Sequence, residues 1–321
     1  MPMINIEDAY ILDETGAEVD KVTGLFTKNE NATMGEKQMA RLNIAAGGSN
    51  DNLLDNAYFV GGGSQLGDGG FPINQRGQSS YSGSAHIIDR WELQNAFANL
   101  ASDSIYFGGT TQNVWALMQQ VPSRWKSLWG ETITVSAIVN DELIQATYTV
   151  PQSGAFDMPA TATTGGVFIN LYSADGTNML FRIYTQYTAS YHIKAVKLEK
   201  GTVSTLANDV PPDFSEELRK CQRYLFIRDY AKNDIIANGL TNNLTMFLPA
   251  SMRSGGSPIM TFTVTPHVIG NGVISTPTSV NLVSVNGNQV QIYAPTTESH
   301  NAQAIVLYAV SATRMTIANE L

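Results

Sequence analysis

SEELRKCQRYLFIRDY, residues 215–230, decides how the chain is divided. It reads as a helix inside a chain that otherwise reads mainly as strands. Asp213 and Glu216 stand three apart ahead of its apolar run, a capping pair, and Pro212 cannot continue a helix backwards. Leu218, Cys221 and Leu225 fall at i, i+3 and i+7 and form one apolar stripe. Arg219, Gln222, Arg223 and Asp229 lie largely off it. The spacing predicts a helix that joins and buttresses two β regions. Cys221 is the only cysteine. A nucleophilic thiol needs a nearby base and partial exposure. The stripe instead puts Cys221 on the buried face, where a free thiol fills space.

Upstream, residues 51–203 carry strand runs: ETITVSAIV (131–139), ELIQATYTV (142–150), GVFINLYS (166–173), MLFRIYTQY (179–187) and YHIKAVKLE (191–199). Tyr191, Ile193, Ala195 and Lys197 alternate with His192, Lys194, Val196 and Leu198. Asn140-Asp141 and Asp175-Gly176 are turn signals. About eight strands over this length predict a two-sheet sandwich of jelly-roll type. Asp209-Val210-Pro211-Pro212 marks a linker, so residues 204–231 are read as linker and helix.

Residues 232–321 return to strands. Asn286-Gly287 ahead of QVQIY (289–293) is a hairpin signal, and AIVLYAVSA (304–312) reads as a buried strand. From Ser254 to Thr313 the only charged residue is Glu298. So apolar and uncharged a sheet is expected to pack against neighbouring copies, most simply in a homotrimer. Residues 1–50 hold eight Asp or Glu against four Lys or Arg and few large apolar groups. INIEDAYILDETG reads as a strand and turn. TMGEKQMARLNIA (33–45) reads as a short helix, with Thr33 and Glu36 as capping box and Gly47-Gly48 as its end. This segment cannot bury a core alone and is expected to dock on another chain. The fold class is therefore mainly β: a short N-terminal anchor, a jelly-roll β-sandwich, a linking helix and a C-terminal β domain.

Composition narrows the function. Of 321 residues 43% are hydrophobic and 15% charged, below the usual quarter. The net charge of −9 argues against nucleic-acid partners. One cysteine excludes an internal disulfide and fits folding in a reducing cytosol. The opening MPMINIEDAYILDETG lacks the basic and apolar regions of a signal peptide, and no apolar window is long enough to predict membrane insertion.

Several motifs share one resemblance. ELRKCQRYL (217–225), followed by MRSGGSPIMTFTV (252–264), resembles a C-terminal module of bacteriophage fibre and appendage proteins, a C-[EQ]-R-Y-[YL] helix before a small sheet bearing M-R-x-x-P. MTIANEL (315–321) resembles the A-D-A-E-L ending of such chains, with Asn319 replacing Asp. GEKQMARLNIAA (35–46) resembles a short helix of phage tail and head fibres, with Ala45 where Gly is usual. NLLDNAYF (52–59), INQRG (73–77), IIDRW (87–91) and AVKLEKG (195–201) resemble the sandwich of phage proteins related to carbohydrate-binding modules. The resemblance implies a virion protein assembled in the host cytoplasm. Residues 1–50 would attach to other virion proteins, 51–203 would bind host surface glycan, and 232–321 would form a trimeric tip. It fits a tail fibre, a capsid head fibre or decoration protein, or a glycan-cleaving depolymerase.

Candidate residues follow from sugar chemistry. Sugar rings stack on aromatic faces, and their hydroxyls bond to Asn, Asp, Gln and Arg. Trp115, Trp125 and Trp129, with Arg124 beside Trp125, would line a groove or equally close the sandwich end. Tyr81 is a further ligand candidate, Tyr106 and Tyr184 weaker ones. Trp91, in Asp89-Arg90-Trp91, is read as a core filler. A structural calcium would draw on oxygens of Asn52, Asp55 and Asp89; no other cofactor is implied. GGGSQLGDGG (61–70) is read as a surface loop. No histidine pair has metal-ligand spacing. Glycosidase carboxylates need a pair about 5–9 Å apart in a cleft. The sparse acids of 51–203 offer no such arrangement, so an enzyme is not expected.

Overall fold

The computed structural model describes residues 10–12, 18–21, 50–61, 71–109, 115–121, 127–162, 166–185, 189–240, 242–252, 257–270, 273–297 and 305–319. These are mainly β, with one α-helix among the described residues, Phe214–Cys221. Near the N-terminus Tyr10–Leu12 pairs antiparallel with Glu18–Lys21, matching the expected strand. The helix expected over 33–45 and the Gly-rich stretch 62–70 lie outside the described residues.

Between Ser80 and Lys200 a curled antiparallel sheet runs in the order Thr161–Ala162, Val167–Ser173, Leu180–Thr185, Trp115–Gln120, Glu92–Ala101, Ser104–Gly108, Ser190–Lys200, Thr132–Val139, Glu142–Thr149. The sheet folds over because Glu92–Ala101 changes partner midway. Its residues 92–94 pair with Trp115–Gln120, and 97–101 pair with Ser104–Gly108. Between the two, Asn95 sits at φ 51° and its amide is taken by Ser84 Oγ at 3.1 Å. Opposite it, the register of Ser80–His86 slips between Gly83 and Ala85. An irregularity of this kind bends a strand and strengthens its twist. The two halves thus face each other over one core, consistent with the expected β-sandwich.

That core is built by alternation. Val167, Ile169 and Leu171 from one half meet Ile133, Val135 and Ala137 from the other, all solvent-free. Trp91 lies at the centre, fully buried, with Phe59 at 5.3 Å and Phe181 at 6.2 Å in edge-on contact. Its Nε1 donates to the Asn56 carbonyl at 2.8 Å, satisfying the ring's single donor. The reading of Trp91 as a core filler is met. Asn140 and Asp141, at φ 48° and 66°, close the hairpin between Thr132–Val139 and Glu142–Thr149 as their turn signal predicted.

The opening stretch is half helix and half strand. The helix ends at Cys221, and Leu225–Tyr230 pairs along its length with Thr313–Ala318. Asp213 caps the N-terminus by accepting from the Glu216 amide at 2.9 Å, as expected. The correction concerns Leu225, assigned to the helix's apolar stripe, and Asp229, assigned to its other faces, both of which lie in a strand. LFIRDY is rich in aromatic and branched residues that suit a pleated surface. A partner more than eighty residues away converts that propensity into a strand.

The C-terminal strands form two sheets. One orders Leu225–Tyr230, Thr313–Ala318 and Ile259–Phe262. The other orders Val273–Ser275, His267–Gly270, Ile305–Tyr308, Ile235–Leu240, Asn243–Phe247, Gln289–Tyr293 and Asn281–Asn286. They enclose a common core in which Val268, Val290, Ile292, Ile305, Leu307, Met315 and Ile317 have no solvent contact. This corrects the expectation that the last third needs identical subunits to hide its apolar strands, because inner faces are closed by the chain itself. Apolar side chains remain outside. Leu240, Phe247, Ile259, Ile274 and Val283 are all more than half exposed.

Candidate functional site

The strands Val167–Ser173 and Leu180–Thr185 send Phe168, Asn170, Tyr172, Arg182 and Tyr184 to the face away from the core, since Ile169, Leu171, Phe181 and Ile183 take the inner positions. Antiparallel register sets Phe168 opposite Tyr184 and Asn170 opposite Arg182. The Phe168 and Tyr184 rings stack with centroids 5.3 Å apart at 18°. The Arg182 guanidinium lies over Tyr172 at 4.3 Å and 5.5 Å from the Tyr184 centroid. It donates to Asp157 Oδ1 at 2.7 Å and to Asn170 Oδ1 at 3.1 Å. Asn170 in turn donates to Asp157 Oδ1 at 2.7 Å and to the Met158 carbonyl. A flat aromatic shelf is thus held by a planar cation whose geometry two acceptors set. Burial pushes the Tyr184 phenol up, against the opposing pull of Arg182.

The shelf runs on across the sheet. Met118 stands opposite Arg182 and Leu180 opposite Tyr172. Both line a cavity of about 270 Å³ whose polar wall includes His86, Glu92, Gln120, Asp175 and Asn178. Glu92 pairs across strands with both Met118 and His86. A second aromatic group, Phe97, Tyr106 and His192, lies on the other half of the sandwich, with Tyr106 at 5.8 Å from Phe97 and 5.1 Å from His192.

Of the main ligand candidates named from the sequence, Trp129 and Tyr81 have described side chains. Trp115 opens the strand Trp115–Gln120 opposite Thr185; its side chain, Arg124 and Trp125 lie outside the described residues. Trp129 is 36% exposed in a turn beside the buried Leu128. Tyr81 is closed to any ligand: it is 7% exposed and donates to Asn74 Oδ1 at 2.9 Å. Burial pushes its phenol up to about 12. The shelf residues carried a sequence signal of their own. FINLY and LFRIY place aromatic and polar groups at alternate positions of consecutive strands, a pattern that marks an outer face bearing more than solvent-facing charge.

The oxygens proposed for calcium are engaged structurally. Asn52 Oδ1 accepts from the Leu54 and Leu198 amides, and its Nδ2 donates to the Val196 carbonyl. Asp55 accepts from Arg90 Nε at 3.1 Å. Asp89 is fully buried and accepts from the Gln75 amide and side chain. Among the described residues no three His, Cys, Asp or Glu side chains are grouped to hold a metal ion.

Asp55 and Asp89 belong instead to a latch between the sandwich and the C-terminal strands. Gln75 Nε2 donates to the Leu225 carbonyl at 2.7 Å, and its Oε1 accepts from the Ile227 amide at 3.3 Å. Glu217 of the helix, 3% exposed, accepts from the Asn56 amide. Arg90, at φ 74°, lays its guanidinium 3.5 Å from the Tyr224 ring centroid. Below it Cys221 packs with Phe71, Ile73, Tyr58, Phe214 and Leu218. Burial pushes the thiol well up, and Asp89, Glu217 and Asp55 add to the effect. Cys221 is the space-filling thiol expected from its stripe. The linker is pinned too. Lys197, fully buried, donates to Asp209 at 2.6 Å and Thr205 at 2.8 Å, and Glu199 accepts from the Thr205 amide.

No family model matches the chain, and no curated protein does. Among solved structures it is similar to the N-terminal CBM22-1–CBM22-2 tandem domain of Paenibacillus barcinonensis Xyn10C, at 10% identity and a TM-score of 0.24, over 85% of this chain and 91% of that one. A TM-score so low carries no argument about function. No described helix is long and apolar enough to cross a membrane.

Proposed function

We propose that this chain is a non-enzymatic glycan-recognition protein, a trimeric tail fibre of a bacteriophage virion. The observation that carries the glycan reading is the shelf of Phe168, Tyr172 and Tyr184 held by Arg182, continuous with a polar cavity. Aromatic faces take the C–H side of a pyranose, and Asp157 and Arg182, held in place by the buried Asn170, offer an acceptor and a donor for its hydroxyls. The fibre reading draws its support from the order of motifs in 35–46, 217–225, 252–264 and 315–321. The trimer reading draws on Ile259, Ile274 and Val283, exposed apolar residues on strands that end their sheets. Edges of this kind invite pairing and are normally covered.

The test is binding of the purified chain to immobilised host polysaccharide, with Tyr184→Ala and Arg182→Ala beside it. Each is expected to weaken binding about tenfold, the scale of a lost stacking or charge-assisted contact, with the melting temperature held. Unchanged affinity in both variants removes the shelf as the site. Shortening of the polysaccharide would overturn the non-enzymatic part. A stable monomer by light scattering would overturn the trimer, and electron microscopy of labelled particles tells tail from capsid.

A further inference from the structure

The cavity beside the shelf has a chemistry of its own. Its volume of about 270 Å³ lies just below the range of drug-sized pockets and suits a single sugar ring. Met118 and Leu180 give it an apolar floor, and each is the cross-strand neighbour of a shelf residue. A chain lying on the shelf therefore reaches the cavity without a break.

Its charges are unevenly committed. Arg90 lines the wall, but its Nε is taken by Asp55 and its NH2 by the Gln120 carbonyl, and its face rests on Tyr224. Gln120 Nε2 is spent on Asn178 Oδ1 at 2.6 Å. On the rim, hydrogen bonds from Thr177 hold the Asp175 carboxyl below its usual range, so it stays ionised. The side chains of Glu92 and His86, half-buried and on paired strands, form no hydrogen bond or ion pair with any described residue. Two carboxylates thus face a space whose one guanidinium among the described lining residues is already neutralised.

We propose that this cavity is a subsite for one uncharged pyranose at the end of a glycan, with Glu92 accepting from ring hydroxyls. His86 sits beside Glu92 to bond a further hydroxyl, and Met118 with Leu180 meets the sugar's C–H face. Sialic and uronic acids are rejected, because their carboxylates meet Glu92 and Asp175 with no uncommitted guanidinium or ammonium among the described lining residues to receive them. The inference rests on the glycan-recognition reading and adds the class of sugar.

The test uses the full chain and a panel of immobilised oligosaccharides ending in glucose, galactose or mannose. The same chains capped with sialic or glucuronic acid stand beside them. Uncapped chains are expected to bind about tenfold tighter or more. Glu92→Gln should lower that binding about tenfold, the scale of one charge-assisted hydrogen bond, and narrow the gap to capped chains. Asn178→Ala, at the exposed rim, should act in the same direction, and melting temperatures check folding. Preference for acid-capped ends overturns the subsite. So does full binding by both variants while Tyr184→Ala loses it, an outcome that leaves the shelf reading intact. Failure of the native chain to bind any member overturns both.

Discussion

Replacing Gln75 with Ala should loosen the joint between the sandwich and the C-terminal strands. Gln75 is 5% exposed and its side chain makes three hydrogen bonds: to Asp89 Oδ2 at 2.5 Å, to the Leu225 carbonyl at 2.7 Å, and from the Ile227 amide at 3.3 Å. The first is charge-assisted, worth about 1.5–3 kcal/mol; the others are neutral, about 0.5–1.5 kcal/mol each. Because Ala leaves the Asp89 carboxylate and the strand groups behind, their lost solvation works in the same direction. Allowing for relaxation and water entry, the loss is about 3 kcal/mol. At roughly 2 °C per kcal/mol for a chain of this size, the melting temperature falls by about 6 °C. Two of the three bonds cross from the sandwich to the strand Leu225–Tyr230. Calorimetry should therefore show one transition broadening or dividing, and limited proteolysis should cut sooner near residues 204–214. Gln152→Ala, at an exposed position, is the control. A variant that melts within about 1 °C of the parent, in one unbroken transition, would refute the latch as a coupling element.

Two further outcomes follow from charge and burial. Cys221 should resist a thiol reagent in the native chain and react fully in denaturant, because burial both hides it and disfavours its thiolate; rapid native labelling would contradict the packing at Phe71 and Ile73. Hydrogen bonds from Arg314 hold the Asp229 carboxyl below its ordinary range. Its stabilisation is therefore present above the unfolded pKa, about 3.9, and is lost as pH falls through the lower folded value. The pair is largely exposed, so the contribution is about 0.2–1 kcal/mol, and Asp229→Asn should flatten that part of the acid unfolding curve by this amount.

Much of the sandwich was legible because each strand announces itself locally. Val167, Ile169 and Leu171 alternate with Phe168, Asn170 and Tyr172, and period-two patterning needs no distant partner to be seen. Asn140-Asp141 specified its hairpin through tolerance of positive φ. Asp213 specified the helix start. The helix end was not legible, because Leu225, Phe226 and Ile227 continue an apolar run that suits either state. The proposed shelf rests on residues other than the tryptophans that sugar chemistry singles out in the sequence: on Tyr172, Tyr184 and Arg182. Arg182 acquires its role from Asp157, twenty-five positions earlier and brought alongside by the pairing of Phe156–Asp157 with Val167–Ser173.

By itself, then, the sequence determined the β class, five strands of the sandwich between residues 131 and 200, the capped helix start and the burial of Cys221, since these follow from periodicity and from the chemistry of neighbours in the chain. Only the tertiary structure decided where the helix yields to a strand, that the last third closes its own core, and that Gln75, Asp89 and Glu217 latch two regions. It also decided which aromatic residues form the shelf. Each of these depends on register and contact between residues far apart in sequence, and short-range propensity carries no information about which distant partner will arrive.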